Sequence, residues 1–495
     1  MRTPPKRSWL CVIGGLLVIV VSGCVLTPDQ EARPEDLPPV TDDAVTDDGV
    51  PDDWVPDASA PDDQPEPVLT VRDAYETISL SVQAGDPVAA ISAYQEAELE
   101  NPDDPATQVL LANLFLVAGD ISGAARIIED VLESDPGRTD ALYLLSLIRG
   151  VEGAEAAQRA LLDQILEIDP SHARARASLG EILLKHREFT AAAATFEQAI
   201  RDEPDNLVAR IGLGNVYLRQ RRFEDAEKQL DAAIEIAPDN SFAYSDRARA
   251  RALQHRLDSA DADLTVALEL EPDHYWHYID RGRVRLEDRR FEAAAADFAV
   301  AVSLNDDLFL GYALRAQAND ALDNIEAAFE DYRTALRMRP DYAPAFIAFG
   351  VLSYMNGELA GAADYFHRAF QREPRRFDLA LLHALMLKSD GRERDATAFL
   401  NSIVSTVPRD TLDFEMIRYY LQPANEGLIM NRLREATDRT LRARMYFYLG
   451  AQLELLGRTR TAQASLMEAE TNLPPGFLEQ RLAAWRMQAY RSQEE

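Results

Sequence analysis

Between residues 71 and 410 apolar residues return every three or four positions, in two runs per 34 residues parted by a short turn. That period predicts paired amphipathic helices, each hairpin keeping one apolar stripe. In 173–206, Leu179, Gly180 and Leu183 mark the first helix, and Ala192, Phe196 and Ala199 the second. In 207–240 the same places hold Leu213, Gly214, Tyr217, Ala226, Leu230 and Ala233; in 343–376 they hold Phe349, Gly350, Ala362, Phe366 and Ala369. Small residues let the two helices approach, and large ones fill the groove between hairpins.

Prolines set the phase. They stand at 102, 136, 170, 204, 238, 272, 340, 374 and 408, every gap being 34 except one of 68 in which Asp306 holds the skipped place. Proline cannot continue a helix, so each turns the chain into the next unit. The units are 71–104, 105–138, 139–172, 173–206, 207–240, 241–274, 275–308, 309–342, 343–376 and 377–410. A degenerate stretch, 411–442, precedes a further unit at 443–476. The domain organisation is therefore 1–23, 24–68, ten repeats over 69–410, 411–442, 443–476 and a tail of 477–495.

Spacing, residue size and period together resemble the tetratricopeptide repeat family over roughly 71–476. The resemblance implies an all-α solenoid of 11–12 helix-turn-helix repeats, a right-handed superhelix whose first helices line a concave groove. One hairpin cannot bury its own apolar face, so neighbours and terminal caps must do so. Phe477–Tyr490, with Leu478, Leu482, Trp485 and Tyr490, reads as the closing cap. By the family's geometry the inner face carries Arg174, Glu181, Lys185, Asn215, Arg219, Phe242, Arg249, Trp276 and Arg283. This set suits an acidic or C-terminal peptide held by charge-assisted bonds and aromatic contact, with a mixed solvated surface as the alternative.

Three consecutive units break the apolar pattern alike. Arg247, Arg281 and Arg315 stand where other units have Leu179 or Leu213, and Asp263, Asp297 and Asp331 stand where neighbours have Thr195, Gln229 and Tyr365. An unpaired guanidinium at a packing position is costly, and a carboxylate opposite offsets that cost. Structural Arg–Asp pairs within or between hairpins are expected, which removes these arginines from any set of ligand-binding residues.

Charge narrows the partners. The chain has 84 acidic and 51 basic residues, a formal charge of -33. That field repels nucleic acid and anionic lipid surfaces. Proteins or peptides remain as partners, with no small-molecule substrate and no cofactor expected. No Gly-rich phosphate loop, His-Glu-x-x-His or Gly-x-Ser-x-Gly occurs, and no stretch remains for a catalytic domain, so no enzyme activity is expected. His274 and His277 stand three apart, a spacing able to share a metal, but the sequence signals no third ligand and no metal is assigned.

The first residues read as a processing signal. Arg2, Lys6 and Arg7 precede a 12-residue apolar run, Leu10–Val21, too short to span a bilayer. Val21-Ser22-Gly23-Cys24 then resembles the lipobox of bacterial lipoproteins. The resemblance implies cleavage between Gly23 and Cys24, a covalent lipid on Cys24 and an acylated new terminus. Cys11 would leave with the signal, so no disulfide is expected. Val25 in place of Asp favours the outer membrane, periplasmic side, in a Gram-negative envelope. Residues 27–68 hold 14 Asp and Glu, one Arg and many Pro, a composition that cannot repay the entropy of folding. This acidic linker would reach roughly 35–40 Å as a coil. It reads as a spacer, with a docking strip for a basic partner as the alternative. The expected function is a lipid-anchored envelope scaffold or adaptor, the runner-up being a regulatory subunit recruiting or controlling a cell-wall enzyme.

Overall fold

The computed structural model describes residues 9–13, 16–20, 71–96 and 104–494. The chain divides into two compact units, Met1–Pro238 and Asp239–Glu495. Each is an all-α solenoid of helical hairpins from residue 71 onward. Upstream, the apolar run forms two strands, β1 (Trp9–Ile13) and β2 (Leu16–Val20), paired antiparallel with Trp9 opposite Val20. Their runs of Val and Ile, Val12-Ile13 and Val18-Ile19-Val20, suit extended backbone, though such a pair alone is marginal in water. Gly23, Cys24 and the linker 27–68 lie outside the described residues.

In the first unit the hairpins are α1 (Val71–Gln83) with α2 (Pro87–Glu96), and α3 (Pro105–Val117) with α4 (Ile121–Ser134). Next come α5 (Thr139–Val151) with α6 (Glu155–Ile168), α7 (Ala173–Lys185) with α8 (Phe189–Asp202), and α9 (Leu207–Arg219) with α10 (Phe223–Ile236). The second unit opens with α11 (Ser241–Leu253) and α12 (Leu257–Leu270), then α13 (Tyr275–Glu287) and α14 (Phe291–Leu304). It continues with α15 (Phe309–Ala321), α16 (Ile325–Met338), α17 (Phe346–Met355), α18 (Leu359–Arg372), α19 (Phe377–Ser389) and α20 (Glu393–Ile403). The degenerate stretch forms two short helices, α21 (Leu412–Leu421) and α22 (Glu426–Glu435), followed by α23 (Arg439–Leu455), α24 (Thr459–Asn472) and α25 (Leu478–Glu494).

Packing follows the size pattern. Phe196 is fully buried, and a methyl on Gly180 would come within 2.6 Å of its ring. The turn inside each hairpin needs one left-handed residue, and these recur in phase. Gly85, Gly119, Gly153, Gly357, Gly391 and Gly457 supply it in the outer hairpins, but Arg187, Arg221, His255, Arg289 and Asp323 do so in the middle. A side chain at positive φ costs about 1–2 kcal/mol, which glycine does not incur. Several first helices carry an N-cap side chain. His172, Asn206 and Asn240 accept the amide hydrogens of Ala175, Ala209 and Ala243 at 3.1, 2.9 and 2.9 Å.

Within each unit the first helices of successive hairpins pack on one another: α3 on α5 and α7 on α9, then α11 on α13 and α13 on α15. Their other face carries the inner-face side chains described below.

Candidate functional site

Inside the second unit the structure brings the three Arg–Asp pairs together, each within one hairpin. Arg247 donates to Asp263 from Nη2 at 2.7 Å and Nε at 3.0 Å, a two-pronged contact. Arg281 meets Asp297 at 2.8 and 3.1 Å, and Arg315 meets Asp331 at 2.7 and 2.8 Å. Asp263 and Asp297 are almost fully buried. Burying a charge is tolerable only when partners satisfy it, and the fork of guanidinium on carboxylate does so.

The network is larger than the substitution pattern implied. Arg251 adds a second donor to Asp263 at 2.8 Å. Arg285 does the same for Asp297 at 2.9 Å and reaches Asp261 of the preceding hairpin at 2.7 Å. Arg251 and Arg285 sit one helical turn beyond the ladder arginines, where sequence alone reads them as surface charges. Tyr244, Tyr278 and Tyr312, each three residues before its arginine, place a ring 5.4, 5.8 and 5.5 Å from the guanidinium carbon. Their 34-residue recurrence was the available signal.

The inner-face candidates separate by unit. In the first, Arg174 is half-buried near Tyr143, which shares a 3.4 Å hydrogen bond with Ser178. Glu181 is reached by solvent yet crowded by protein, and desolvation pushes its carboxyl up to about 7. Lys185 is not free, its Nζ lying 2.6 Å from Glu155. Asn215 is half-buried, while Arg219 is exposed.

In the second unit Phe242 is packing rather than surface, its ring set edge-on to His274 at 5.2 Å and His277 at 5.6 Å. Trp276 is 37% exposed, with its ring 5.4 Å from Tyr275. Arg249 lies 3.1 Å from Asp246, and Arg283 lies 3.9 Å from Asp280. Asp280 also feels Arg249, so α11 and α13 carry an alternating row of Asp246, Arg249, Asp280 and Arg283. Burial still holds Asp280 above the usual carboxylate range, the two arginines only partly offsetting it. The row is charge-balanced rather than basic, closer to the mixed solvated surface than to a face for an acidic peptide. Each single-contact arginine keeps unused N–H donors.

Further along the second unit that face is filled by the chain itself. Arg481 of α25 donates to Asp320 of α15 at 2.7 Å, across 161 residues. Trp485 sets its ring edge-on to Tyr354 at 5.2 Å, and Arg486 bonds Glu454 at 2.9 Å. Tyr490 adds a 2.5 Å bond to Glu454. Asp320, Tyr354 and Glu454 occupy the same position of their respective first helices, counted from units beginning at 309, 343 and 443. Beneath α25, the almost fully buried Glu479 accepts from Arg444 at 2.8 Å and from the Tyr448 hydroxyl at 3.0 Å. Arg444 also lies 3.1 Å from Asp378, which Arg376 meets at 2.7 Å.

Models of the tetratricopeptide repeat match residues 81–148, 149–197, 177–241 and 311–342. Cellulose synthase operon protein C of Pseudomonas fluorescens (strain SBW25) is 39% identical over 69 residues, 14% of this chain and 5% of that protein. The chain thus spans about a twentieth of that relative's length. Among solved structures, Pseudomonas aeruginosa pilF aligns at 19% identity and a TM-score of 0.38, covering 42% of this chain and 93% of that one. A tetratricopeptide repeat protein from Parabacteroides merdae ATCC 43184 aligns at 18% and 0.37, covering 50% and 98%. YrrB, a TPR protein described as having an unusual peptide-binding site, aligns at 18% and 0.32, covering 37% and 93%. By the repeat models, the chain carries tetratricopeptide repeats over those residues, and the 34-residue hairpin described above recurs on either side of them.

Proposed function

We propose that this chain is a lipid-anchored adaptor of a bacterial envelope, holding a segment of a partner protein on the open inner face of its repeats. Tetratricopeptide repeats are scaffolds for protein–protein interaction, and the fold offers the stacked first helices for that use. The observation that carries the reading is the exposed Trp276 beside the charge-balanced row Asp246, Arg249, Asp280 and Arg283. An indole left in water next to charged side chains is the usual anchor of an interface, ringed by polar contacts. The row of both signs suits a partner segment that itself alternates acidic and basic residues. A purely acidic or carboxyl-terminal peptide is the weaker fit.

The anchor rests on Val21-Ser22-Gly23-Cys24 and the acidic spacer that follows. A lipid on Cys24 would place the repeats on a membrane, and the spacer would hold them off it. The runner-up is a regulatory subunit that presents a cell-wall enzyme to its substrate, using the same face.

A photo-crosslinker at position 276, in the full-length protein in its own membranes, tests the adaptor reading. One envelope partner captured at 276 and lost with Arg249→Ala plus Arg283→Ala supports it. Equal capture from an outer-face position such as 300 overturns it. Lipidation is tested by labelled palmitate, which must enter the wild type and not Cys24→Ser.

A further inference from the structure

We infer that Glu271, His274 and His277 form a binding site for a divalent transition-metal ion of the zinc class. One ligand atom from each of the three lies within 4.8 Å of the other two. Glu271 ends α12, His274 caps α13 and His277 sits in the first turn of α13, so a seven-residue segment closes the triad around Pro272. His277 Nε2 is 3.7 Å from a Glu271 oxygen, and the two imidazole rings have centroids 4.3 Å apart.

The buried imidazole points to a ligand. His277 is 1% exposed, yet among the described residues neither of its ring nitrogens has a hydrogen-bond partner, and the buried Nδ1 of His274 has none. Burying such groups unpaired costs about 1–3 kcal/mol each, and a metal bond removes that cost. The arrangement is also a departure from the repeat. In the units beginning at 173, 207, 241, 309 and 343, the position of His277 is held by Ala175, Ala209, Ala243, Gly311 and Ala345, all buried. In the hairpins on either side, Ala243 and Gly311 give that place a methyl or less, whereas Leu379 and Met445 fill it farther along. His274 likewise abandons the capping bond that His172, Asn206 and Asn240 make.

Two imidazoles and one carboxylate select zinc and its neighbours over magnesium or calcium, which prefer oxygen cages. Tetrahedral coordination at about 2.0–2.1 Å asks the ligand atoms to approach to roughly 3.3–3.4 Å, a movement that side-chain rotation supplies. The carbonyl end of α12 favours a cation there, and the amide end of α13 opposes it. The outer support is present: the buried Ser241 hydroxyl lies beside Glu271, and Phe242 packs on both imidazoles. Three protein ligands leave a fourth position for water or a partner's side chain. The site adjoins Trp276, so an ion would stiffen the turn that presents the indole.

The test uses the full-length chain carrying Cys11→Ser and Cys24→Ser, so that no thiol competes. Zinc titrated calorimetrically at neutral pH should bind at one ion per chain, and cobalt should give the visible absorption of a tetrahedral site. His277→Ala restores the residue of the neighbouring hairpins, and His274→Asn restores their cap, so both variants should fold. Each should lose the cobalt spectrum, and Ser241→Ala should weaken zinc by about 10-fold. No stoichiometric zinc, magnesium binding in preference to zinc, or a cobalt spectrum unchanged in His277→Ala with native helicity would overturn the site.

Discussion

The first unit and the C-terminal part of the second stabilise the same hairpin in different ways. In the first, buried apolar clusters stay small and local. One runs from Ile78 to Leu114, one from Val109 to Ile148 and one from Leu142 to Ile182, each shared by consecutive hairpins. From Ala316 to Met487 a single cluster joins four hairpins, with first helices α15, α17, α19 and α23, to the short helices of the degenerate stretch and α25. The first arrangement is a chain of nearest-neighbour contacts, in which each hairpin depends on two others. The second is a globular core that happens to be threaded from repeats. Between them, from Arg247 to Asp331, charge pairs stand among two small clusters, one of Ala248, Ala260, Leu264 and Val284 and one running from Ile279 to Ala318. The comparison teaches that a repeat becomes cooperative when one element crosses several hairpins, and α25 is that element.

The largest test of this contrast is Arg444→Ala. It leaves Asp378 and Glu479 buried without their shared cation, and should cost about 3–4 kcal/mol in urea unfolding. Hydrogen exchange should then rise throughout 316–487. A rise confined to α23–α25 would break the claim of one cooperative body. Arg281→Leu should cost less, about 1–2 kcal/mol, because Arg285 still satisfies Asp297, and its effect should stay within neighbouring hairpins. Adding Asp297→Thr restores the residue types of an ordinary unit and should recover most of the loss, as a double-mutant cycle would show. Arg221→Gly, in the first unit, should stabilise by about 0.5–1 kcal/mol by relieving the left-handed turn, with exchange slowing only in α9, α10 and their neighbours. Glu181→Gln is the smallest. Its folded carboxyl is pushed up to about 7 against an ordinary 4.5, so the folded state holds the proton longer and stability falls as pH rises through that window. Thermal unfolding should show Gln slightly more stable than Glu at pH 8, the difference vanishing below pH 4.5. Water reaches this carboxyl, which keeps the difference small.

The repeat phase was legible because proline spacing and size pattern agree; α3, α5, α7, α9, α11, α13, α15 and α19 begin at the first residue of their units. The partners of Arg247, Arg281 and Arg315 were legible because an arginine in a leucine column demands a carboxylate. Arg251, Arg285 and Asp261 were not, since a charged residue one turn along a helix looks the same whether it meets water or a buried acid. The segment of α25 was visible as amphipathic, but its docking on Asp320 and Tyr354 depends on how many hairpins lie between, which no local pattern encodes. His274 and His277 were visible as a pair, but Glu271, the third member of the triad, reads before Pro272 as an ordinary helix-ending acid.

A solenoid ordinarily lengthens by duplicating a repeat, and the alignment of α25 sets a limit on that. Arg481, Trp485 and Arg486 measure a fixed distance from Asp320 to Glu454, so one hairpin inserted between these points would shift the marks by about 10 Å. Downstream of residue 309 the count of hairpins is locked like the rungs of a ruler. Gains and losses of whole repeats among relatives should therefore fall upstream, where a new 34-residue hairpin disturbs only the two it touches.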